Sequence, residues 1–369
     1  MLKPGATATY KNTASDPEPV GVAVVGLGYW GPNLLRVLSD NVDAEVRWIC
    51  DLDDDRLAKY RRRHPSARLT THLDRVLADP RVDAVMIATP VHTHYSLAAK
   101  ALEAGKHVFV EKPLAQSSEL ADDLANLASE ADRILMCGHT FLYSPPVRAV
   151  KHMIEAGMLG EIYFISSSRV NLGLHQRDVS VIWDLGPHDF SILLYWLSEV
   201  PTTVRAVGRD SIVKGIADVA FVTMSFASGM VANVELSWLA PSKLRRTVLV
   251  GSERMVIYDD GAPEPVRLFD RGVVYRDPET FGEYHLSYRS GDVISPRIET
   301  YEPLSLELGD FVSSVRTGAQ MHYHTAIARS VVRIVEAADS SLKQCGQDVA
   351  LKPDHVGHEL SARRELEAV

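Results

Sequence analysis

The sequence predicts an α/β amino-terminal domain built on a doubly wound parallel sheet, followed by an α+β domain with an open, mostly antiparallel sheet. Three observations predict this fold class. Short apolar, β-branched runs alternate with helix-patterned segments over residues 20–137. These runs are nearly all apolar rather than alternating, as in parallel strands that helices cover on both faces. Beyond residue 141, long strand-like runs follow one another without helices between them, which is typical of an antiparallel sheet.

The first half contains five predicted strands separated by five predicted helices. The strands cover residues 22–25, 45–50, 84–88, 107–110 and 134–137. The helices cover residues 32–38, 54–62, 73–77, 96–103 and 119–128. Each apolar run with the helical segment that follows it forms one βα unit, and the units repeat along the chain.

The second half begins with helices over residues 145–156 and 181–197, and it ends with helices over 304–316 and 325–342. Between them we predict strands over residues 162–170, 204–209, 219–226, 230–238, 246–250 and 255–258. The turn Ala227-Ser228-Gly229 indicates a hairpin between two of these strands. Residues 268–303 show no clear periodicity, and we interpret them as an insert that shapes substrate choice.

Composition bounds the function. A chain of 369 residues is too long for one ordinary core, which favours two domains. A net charge of -9 argues against nucleic acid as a partner, and no apolar stretch reaches the roughly 20 residues that cross a bilayer. The cysteines at 50, 137 and 345 lack metal-ligand spacing, which predicts buried free thiols in a reducing cytoplasm. His322 and His324 have no matching carboxylates, so we expect no metal site.

A glycine-rich motif, Gly26-Leu27-Gly28-Tyr29-Trp30-Gly31, follows the first apolar run and precedes a helix. In that context it predicts a Rossmann domain in which backbone N–H groups bind the pyrophosphate of a dinucleotide. Asp51 ends the second strand 20 residues after Gly31, near the position of the acid that accepts hydrogen bonds from the adenosine ribose. Because a carboxylate there repels a 2′-phosphate, we expect NAD rather than NADP. The alternative is that the glycines mark a tight turn and Asp51 opens an Asp-rich helix cap.

Two further segments lie at carboxyl ends of predicted strands, where open α/β sheets bind their ligands. They are Ala88-Thr89-Pro90-Val91-His92-Thr93-His94 and Val110-Glu111-Lys112-Pro113. We expect the first to contact cofactor through Thr89, Pro90, His92 and His94, or to use its histidines for local hydrogen bonds. Lys112 would polarise a carbonyl oxygen beside nicotinamide, with Glu111 next to it; the alternative is a surface lysine in a loop.

The segment Trp183-Asp184-Leu185-Gly186-Pro187-His188-Asp189 opens a helix in the second half. Asp184 and His188 are four residues apart and share a helical face, so the carboxylate could orient the imidazole. Because histidine titrates near neutrality, His188 could take a hydroxyl proton as hydride leaves the same carbon. The alternative is that Asp184 caps the helix and His188 lies on the surface.

These ordered motifs resemble the Gfo/Idh/MocA oxidoreductases, named for glucose–fructose oxidoreductase and inositol dehydrogenase, over residues 20–342. The segments 28–33, 138–145 and 183–189 are similar to the branch that oxidises UDP-N-acetylamino sugars at C3. The resemblance implies that Lys112 and His188, with Asp184, flank the reacting hydroxyl, and that hydride transfer interconverts a secondary alcohol and a ketone. It also implies an antiparallel sheet whose outer face forms the contact of a homodimer or homotetramer.

From their polar, proline-containing composition we expect residues 1–19 to form a flexible arm, either disordered or lying on a partner subunit. On the resemblance we expect residues 20–142 to form the NAD-binding Rossmann domain and 143–369 the substrate-binding and oligomerisation domain. Expected substrate contacts are Tyr143, Arg169, Asn171, Gln176 and Asp178, with His139 near nicotinamide; the alternative for the loop residues among them is that they are merely polar.

The expected function is NAD-dependent oxidation or reduction of a sugar, amino sugar or nucleotide-sugar. Two alternatives stay open. One is an NADPH-dependent keto-sugar reductase of a deoxysugar or antibiotic pathway, which a strong NADPH requirement would reveal. The other is a non-catalytic, NAD(P)-sensing regulator, against which Lys112, Asp184 and His188 argue because a sensor needs no proton acceptor.

Overall fold

A computed structural model of the chain describes residues 18–173, 175–176, 179–276 and 285–351. Of the predicted arm over residues 1–19, only residues 18 and 19 belong to this part. The strands up to residue 138 are β1 (Val20–Val25), β2 (Ala44–Cys50), β3 (Arg68–Thr70), β4 (Ala84–Ile87), β5 (His107–Glu111) and β6 (Leu135–Gly138). The helices are α1 (Gly31–Asp40), α2 (Asp54–Tyr60), α3 (Leu73–Leu77), α4 (Val91–Glu103) and α5 (Ser118–Glu130).

The first sheet is parallel and has the strand order β3-β2-β1-β4-β5-β6. Every residue of β1 is buried. Val22 and Val24 contribute to one hydrophobic core, and Ala23 and Val25 contribute to another, because successive side chains of a strand point to opposite faces. Burial on both faces explains why these runs are apolar throughout. The carboxyl ends of β1, β4, β5 and β6 meet at one edge of the sheet.

A 3₁₀ turn (Thr140–Tyr143) and α6 (Pro145–Glu155) lead into the second part of the chain. Its remaining helices are α7 (Val181–Leu197), α8 (Pro303–Thr317) and α9 (His322–Lys343). Its strands are β7 (Ile162–Leu172), β8 (Thr203–Arg209), β9 (Val219–Ser225), β10 (Val231–Ser237), β11 (Leu239–Gly251), β12 (Met255–Asp259), β13 (Val266–Arg276), β14 (His285–Ile294) and β15 (Val349–Ala350).

The second sheet has the order β14-β13-β12-β11-β7-β10-β9-β8-β15 and is antiparallel except between β7 and β10. Helices α7 and α9 pack on one face of this sheet, where alternate residues of β9 and β10 are buried. The opposite face exposes large apolar side chains, including Phe164, Val207, Phe221 and Val231. Helix α9 also packs against α5, so it joins the two parts of the chain.

The predicted fold class is confirmed, and the structure differs from the prediction at several places. The short strand β3 was missed because its three residues, which begin with an exposed arginine, give no apolar run. Helix α4 begins at Val91 rather than residue 96, and β11 begins at Leu239 rather than residue 246. Residues 268–303 are not an insert without structure, since they contain most of β13 and all of β14. Cys345 is exposed, contrary to expectation, whereas Cys50 and Cys137 are buried.

Among the residues that the structure describes, no helix is both long and apolar enough to cross a lipid bilayer.

Candidate active site

The loop between β1 and α1 is built on glycines that other residues could not replace without strain. Gly26 has a φ of +94°, and a Cβ there would lie 2.6 Å from the carbonyl oxygen of Ala88. A Cβ on Gly31 would lie 1.9 Å from the carbonyl oxygen of Gly26. Gly28 differs, because no described atom lies within 4 Å of the position of its Cβ. The backbone at Gly28 is therefore open to a ligand, and this cradle fits the pyrophosphate of a dinucleotide.

Asp51 follows β2 and is 8% exposed. Its Oδ2 accepts a hydrogen bond of 2.6 Å from the N–H of Leu27, and its Oδ1 accepts one of 2.9 Å from the N–H of Asp53. The carboxylate thus fixes the glycine loop to the start of α2, and each oxygen keeps a lone pair for a ribose hydroxyl. The predicted helix cap is also present, but the residue that caps α2 is Asp53.

The two aromatic residues of the glycine loop differ in their surroundings, since Tyr29 faces solvent and Trp30 contacts the protein. Tyr29 is 88% exposed and stacks on Trp30 at 6.4 Å between ring centroids. The Trp30 indole lies beside the buried carboxyl of Glu111. Burial raises the pKa of Glu111 to about 8, although the charge of Lys112 acts in the opposite direction.

His94 is 1% exposed, and its two ring nitrogens lie 2.8 Å from the carbonyl oxygens of Pro113 and Thr89. It therefore connects the segments after β4 and β5, and the expectation of a direct cofactor contact is not supported at this residue. The alternative of local hydrogen bonding describes it better. Pro90 precedes the first residue of α4, and His92 is exposed on the first turn of that helix.

Lys112 reaches from the end of β5 to the first turn of α7. Its Nζ donates a hydrogen bond of 2.8 Å to the backbone oxygen of Asp184 and lies 3.5 Å from Oδ1 of the same residue. The other carboxylate oxygen of Asp184, Oδ2, accepts a hydrogen bond of 3.1 Å from Nε1 of Trp238. The Lys112 and Asp184 side chains are 20% and 24% exposed, so this ion pair is partly accessible to solvent.

His188 lies one turn after Asp184 and packs edge-to-face on Phe141, with ring centroids 5.1 Å apart. No hydrogen bond from the His188 ring to the Asp184 carboxylate is found among the described contacts, because the carboxylate faces Lys112 and Trp238 instead. Burial lowers the pKa of His188 well below its usual value, and the charge of Lys112 lowers it further.

Two guanidinium groups lie over the Phe141 ring, with Cζ atoms 4.6 Å (Arg169) and 5.5 Å (Arg245) from its centroid. Arg169 is 4% exposed and pairs with the buried Asp189, whose other oxygen accepts a hydrogen bond of 2.8 Å from Ser167. Nη1 of Arg169 is buried without a hydrogen-bond partner among the described residues, so the expected contact of Arg169 with substrate stays a prediction. The charge of Arg169 also lowers the pKa of His188.

The other residues that we expected to contact the substrate do not lie together in one place. Asn171 has a buried Oδ1 without a hydrogen-bond partner among the described residues, Gln176 is exposed, and Asp178 lies outside the described residues. Tyr143 is 1% exposed and its hydroxyl lies 3.0 Å from Nε2 of His324. It lines a cavity of about 730 Å³ between α6, α7, α9 and residues 296–301. The Tyr143 hydroxyl therefore does not contact the Lys112–Asp184 ion pair.

His139 is buried, and neither of its ring nitrogens has a hydrogen-bond partner in the described part of the chain. Burial lowers its pKa to about 3, and the charges of His324 and Lys112 act in the same direction. It follows β6 at the edge where the parallel strands end. A neutral, unpaired imidazole there is consistent with the expected place near nicotinamide.

Sequence reasoning missed Trp238 and Asp189 as parts of the site. Trp238 was assigned only as the last residue of a strand, and Asp189 only as part of a helical segment. Nothing in the periodicity shows that an indole N–H faces Asp184 or that a buried carboxylate faces Arg169, since both contacts are tertiary. A large indole in the short link between two strands was the one available signal.

The described residues contain no group of three or more histidine, cysteine or acidic side chains placed to hold a metal ion.

Comparison with known proteins places this site in a family. Residues 20–139 match the family model described as "Oxidoreductase family, NAD-binding Rossmann fold", and residues 147–257 match "GFO/IDH/MocA C-terminal domain". A UDP-N-acetylglucosamine 3-dehydrogenase of Acidithiobacillus ferrooxidans is 33% identical over 187 residues, which are 51% of this chain and 58% of that protein. A 2,7-anhydro-N-acetylneuraminate hydratase of Escherichia coli is 28% identical over 58% of this chain and 61% of that protein. The chain thus spans about three fifths of the length of these curated relatives.

Solved structures match over a greater length. GenD2 from gentamicin A biosynthesis, in complex with NAD, has a TM-score of 0.76 and 26% identity over 96% of this chain and 100% of that chain. The UDP-N-acetylglucosamine 3-dehydrogenase GnnA from Acidithiobacillus ferrooxidans has a TM-score of 0.72 and 25% identity over 88% of this chain and 98% of that chain. With both family models matched in order and more than half of its residues covered, the chain belongs to the Gfo/Idh/MocA family of NAD(P)-binding oxidoreductases.

Proposed function

We propose that this protein is an NAD-dependent oxidoreductase that interconverts a secondary alcohol and a ketone on a sugar, amino sugar or nucleotide-sugar. The observation that carries the proposal is the meeting of Lys112, from the end of a parallel strand, with the α7 turn that holds Asp184 and precedes His188. An ammonium and an imidazole from two parts of the chain are thereby placed at the edge where open α/β sheets bind their ligands.

The glycine cradle around Gly28, with Asp51, would hold the dinucleotide, and bound nicotinamide supplies the acceptor or donor of hydride. Lys112 donates a hydrogen bond to the substrate oxygen and stabilises the negative charge that develops there. His188 is neutral because burial and nearby cations disfavour its charged form, so it can accept the hydroxyl proton during oxidation. In the reverse direction His188 returns this proton to the oxygen.

The proposed substrate class has two supports. The UDP-N-acetylglucosamine 3-dehydrogenase and GenD2 of the comparisons are a sugar-nucleotide enzyme and a protein of gentamicin biosynthesis. Two polar atoms at the end of β7 and just beyond it are buried without described partners, Oδ1 of Asn171 and Nε2 of His175, and the His175 ring packs on Trp238, which contacts Asp184. Unsatisfied buried polar atoms are costly, which fits a substrate that carries hydroxyl groups.

We propose NAD rather than NADP, because Asp51 presents a carboxylate next to the glycine loop, where a 2′-phosphate would be repelled. Arg56 lies 3.7 Å from Asp51 and is half-exposed, so NADP must be included in any test. A non-catalytic sensor has no need for a Lys112–Asp184 pair beside a neutral His188, and this argues against that alternative.

We also propose domains over residues 20–142 and 143–369, and a homodimer or homotetramer formed through the exposed face of the second sheet. The apolar side chains of that face, such as Phe164, Val207 and Phe221, are 43–46% exposed in the single chain. Buried free thiols at Cys50 and Cys137 are consistent with a cytoplasmic location.

The test is a screen of purified protein with NAD and with NADP against UDP-sugars, inositols and amino sugars, following nicotinamide absorbance. We expect turnover of at least one sugar with NAD, and none when Lys112→Ala is used as the control. Absence of turnover with every class would contradict the proposal. A strong requirement for NADPH would overturn the role given to Asp51.

A further inference from the structure

Trp238 lies in the link between β10 and β11, and its side chain is 1% exposed. Its indole Nε1 donates a hydrogen bond of 3.1 Å to Oδ2 of Asp184. The remaining carboxylate oxygen, Oδ1, lies 3.5 Å from Nζ of Lys112. The buried indole N–H of Trp238 therefore contacts the Asp184 carboxylate, and this carboxylate contacts the Lys112 ammonium. The ammonium lies at the proposed reacting centre.

The indole is itself held in one place from several sides. The backbone N–H of Trp238 donates to the carbonyl of Asp218 at 3.0 Å, and its carbonyl accepts from the N–H of Gly173 at 3.1 Å. The ring of His175 packs on the indole at 5.3 Å between centroids. A Cβ on Gly173 would lie 3.1 Å from the indole Cδ1, so the backbone at Gly173 packs closely on the ring.

We infer that Trp238 is a positioning residue whose indole N–H fixes the Asp184 carboxylate, and through it the Lys112 ammonium, for contact with the substrate oxygen. This inference rests on the proposed function and deepens it. With the N–H in place, only Oδ1 faces Lys112, and the ammonium keeps donors for a substrate. Without it, the carboxylate can rotate to turn both oxygens to Lys112 and draw the ammonium away from the substrate oxygen.

The chain offers a matched control in Trp196. Its side chain is also 1% exposed, and its Nε1 donates a hydrogen bond of 2.9 Å to the carbonyl of Val147, away from the Lys112–Asp184 pair. Trp238→Phe and Trp196→Phe therefore remove the same atoms from equally buried sites. Loss of packing affects both variants, whereas loss of positioning affects only the first.

The experiment compares the two variants for kcat, KM, NAD affinity and thermal unfolding. We expect Trp238→Phe to lower kcat by about 10- to 100-fold, as displaced catalytic groups do, with NAD affinity within about twofold of wild type. In an Asp184→Asn background the same change should cost less than about twofold in kcat, because Trp238 acts through Asp184. A near-wild-type kcat in Trp238→Phe, or losses that simply multiply in the double variant, would overturn the inference.

A second readout needs no substrate. Labelling of Lys112 with trinitrobenzenesulfonate, which reacts with the neutral amine, should be several-fold slower in Trp238→Phe, because both Asp184 oxygens then hold the ammonium, and unchanged in Trp196→Phe, as measured by peptide mass spectrometry. If wild type turns over no sugar but the labelling differs as expected, the proposed function fails and the positioning contact stands. Equal labelling in all three proteins would remove Trp238 from its role even if wild type is an active dehydrogenase.

If Trp238→Phe does not fold, benzothienylalanine at position 238 retains the bicyclic shape and lacks only the N–H. It should reproduce the loss of kcat and the slower labelling of Lys112. Wild-type behaviour in this protein would overturn the inference.

Discussion

Replacement of Gly28 by alanine separates cofactor binding from folding. No described atom lies within 4 Å of the Cβ that alanine would add, and Gly28 does not have a left-handed backbone conformation. The free energy of unfolding should therefore change by less than about 0.5 kcal/mol. The new methyl group would occupy the gap through which a pyrophosphate approaches the backbone.

Loss of one charge-assisted hydrogen bond in this gap costs about 1.5–3 kcal/mol. Since 1.4 kcal/mol is a tenfold change, the Kd for NAD should rise by about 10- to 150-fold. NAD titration by calorimetry measures this change, and thermal unfolding without NAD measures stability. Gly31→Ala, by contrast, should also destabilise the fold, because its Cβ would lie 1.9 Å from the carbonyl oxygen of Gly26.

Gly309→Ala is the matched control, since its Cβ also meets no described atom within 4 Å and it lies inside α8. It should leave NAD affinity unchanged and add up to about 1 kcal/mol of stability, the usual preference of a helix for alanine. If Gly28→Ala binds NAD as tightly as wild type does, the glycine loop does not carry the pyrophosphate and the reasoning is refuted.

Three further predictions concern ionisable groups. Because burial and cations hold the pKa of His188 well below its usual 6.5, the acidic limb of kcat/KM for oxidation should lie below pH 6.5, and a limb at or above it would contradict this. Asp189→Asn leaves the buried Arg169 without its counter-charge, so denaturant unfolding should show a loss of about 3–5 kcal/mol; a loss under about 1 kcal/mol would count against it. The pKa of Glu111 rises from 4.5 to about 8 on folding, so its ionisation costs stability increasingly as pH rises through that window. The Tm advantage of Glu111→Gln should thus be larger at pH 8 than at pH 4.5, and a pH-independent difference would rule this out.

Most of the first sheet could be predicted because its strands are short, buried on both faces and therefore apolar throughout. Helix α7 was predicted with its observed bounds, Val181–Leu197. The β13–β14 hairpin could not be recognised, because it lies at the edge of the second sheet and alternates apolar residues with charged ones such as Arg271 and Arg289. Burial on one face only leaves a weak apolar signal.

The sequence predicted which residues form the site better than it predicted which of them are in contact. Motif order brought Lys112 and Asp184 into one hypothesis, and the structure places them in contact. The i, i+4 spacing suggested that Asp184 orients His188, but spacing gives a shared helical face and does not decide which neighbour a carboxylate chooses. In the structure the Asp184 carboxylate accepts a hydrogen bond from Trp238, and the position of Trp238 depends on the tertiary fold.

The sequence also did not predict which individual polar residues are buried. His94 and Arg169 stand near the predicted site in sequence, yet both are enclosed by protein partners, the first by backbone carbonyls and the second by Asp189. A polar residue in a motif signals proximity to a site, while its partners and exposure decide whether it can reach a ligand.

The most direct measurement is the turnover rate of Lys112→Ala and of His188→Ala, determined together with their affinity for NAD on the sugar that wild type oxidises. If the ammonium and the imidazole act on the substrate oxygen, each variant should lose at least about 100-fold in kcat and keep NAD affinity within about twofold. Near-wild-type turnover in both variants would show that the reacting centre lies elsewhere.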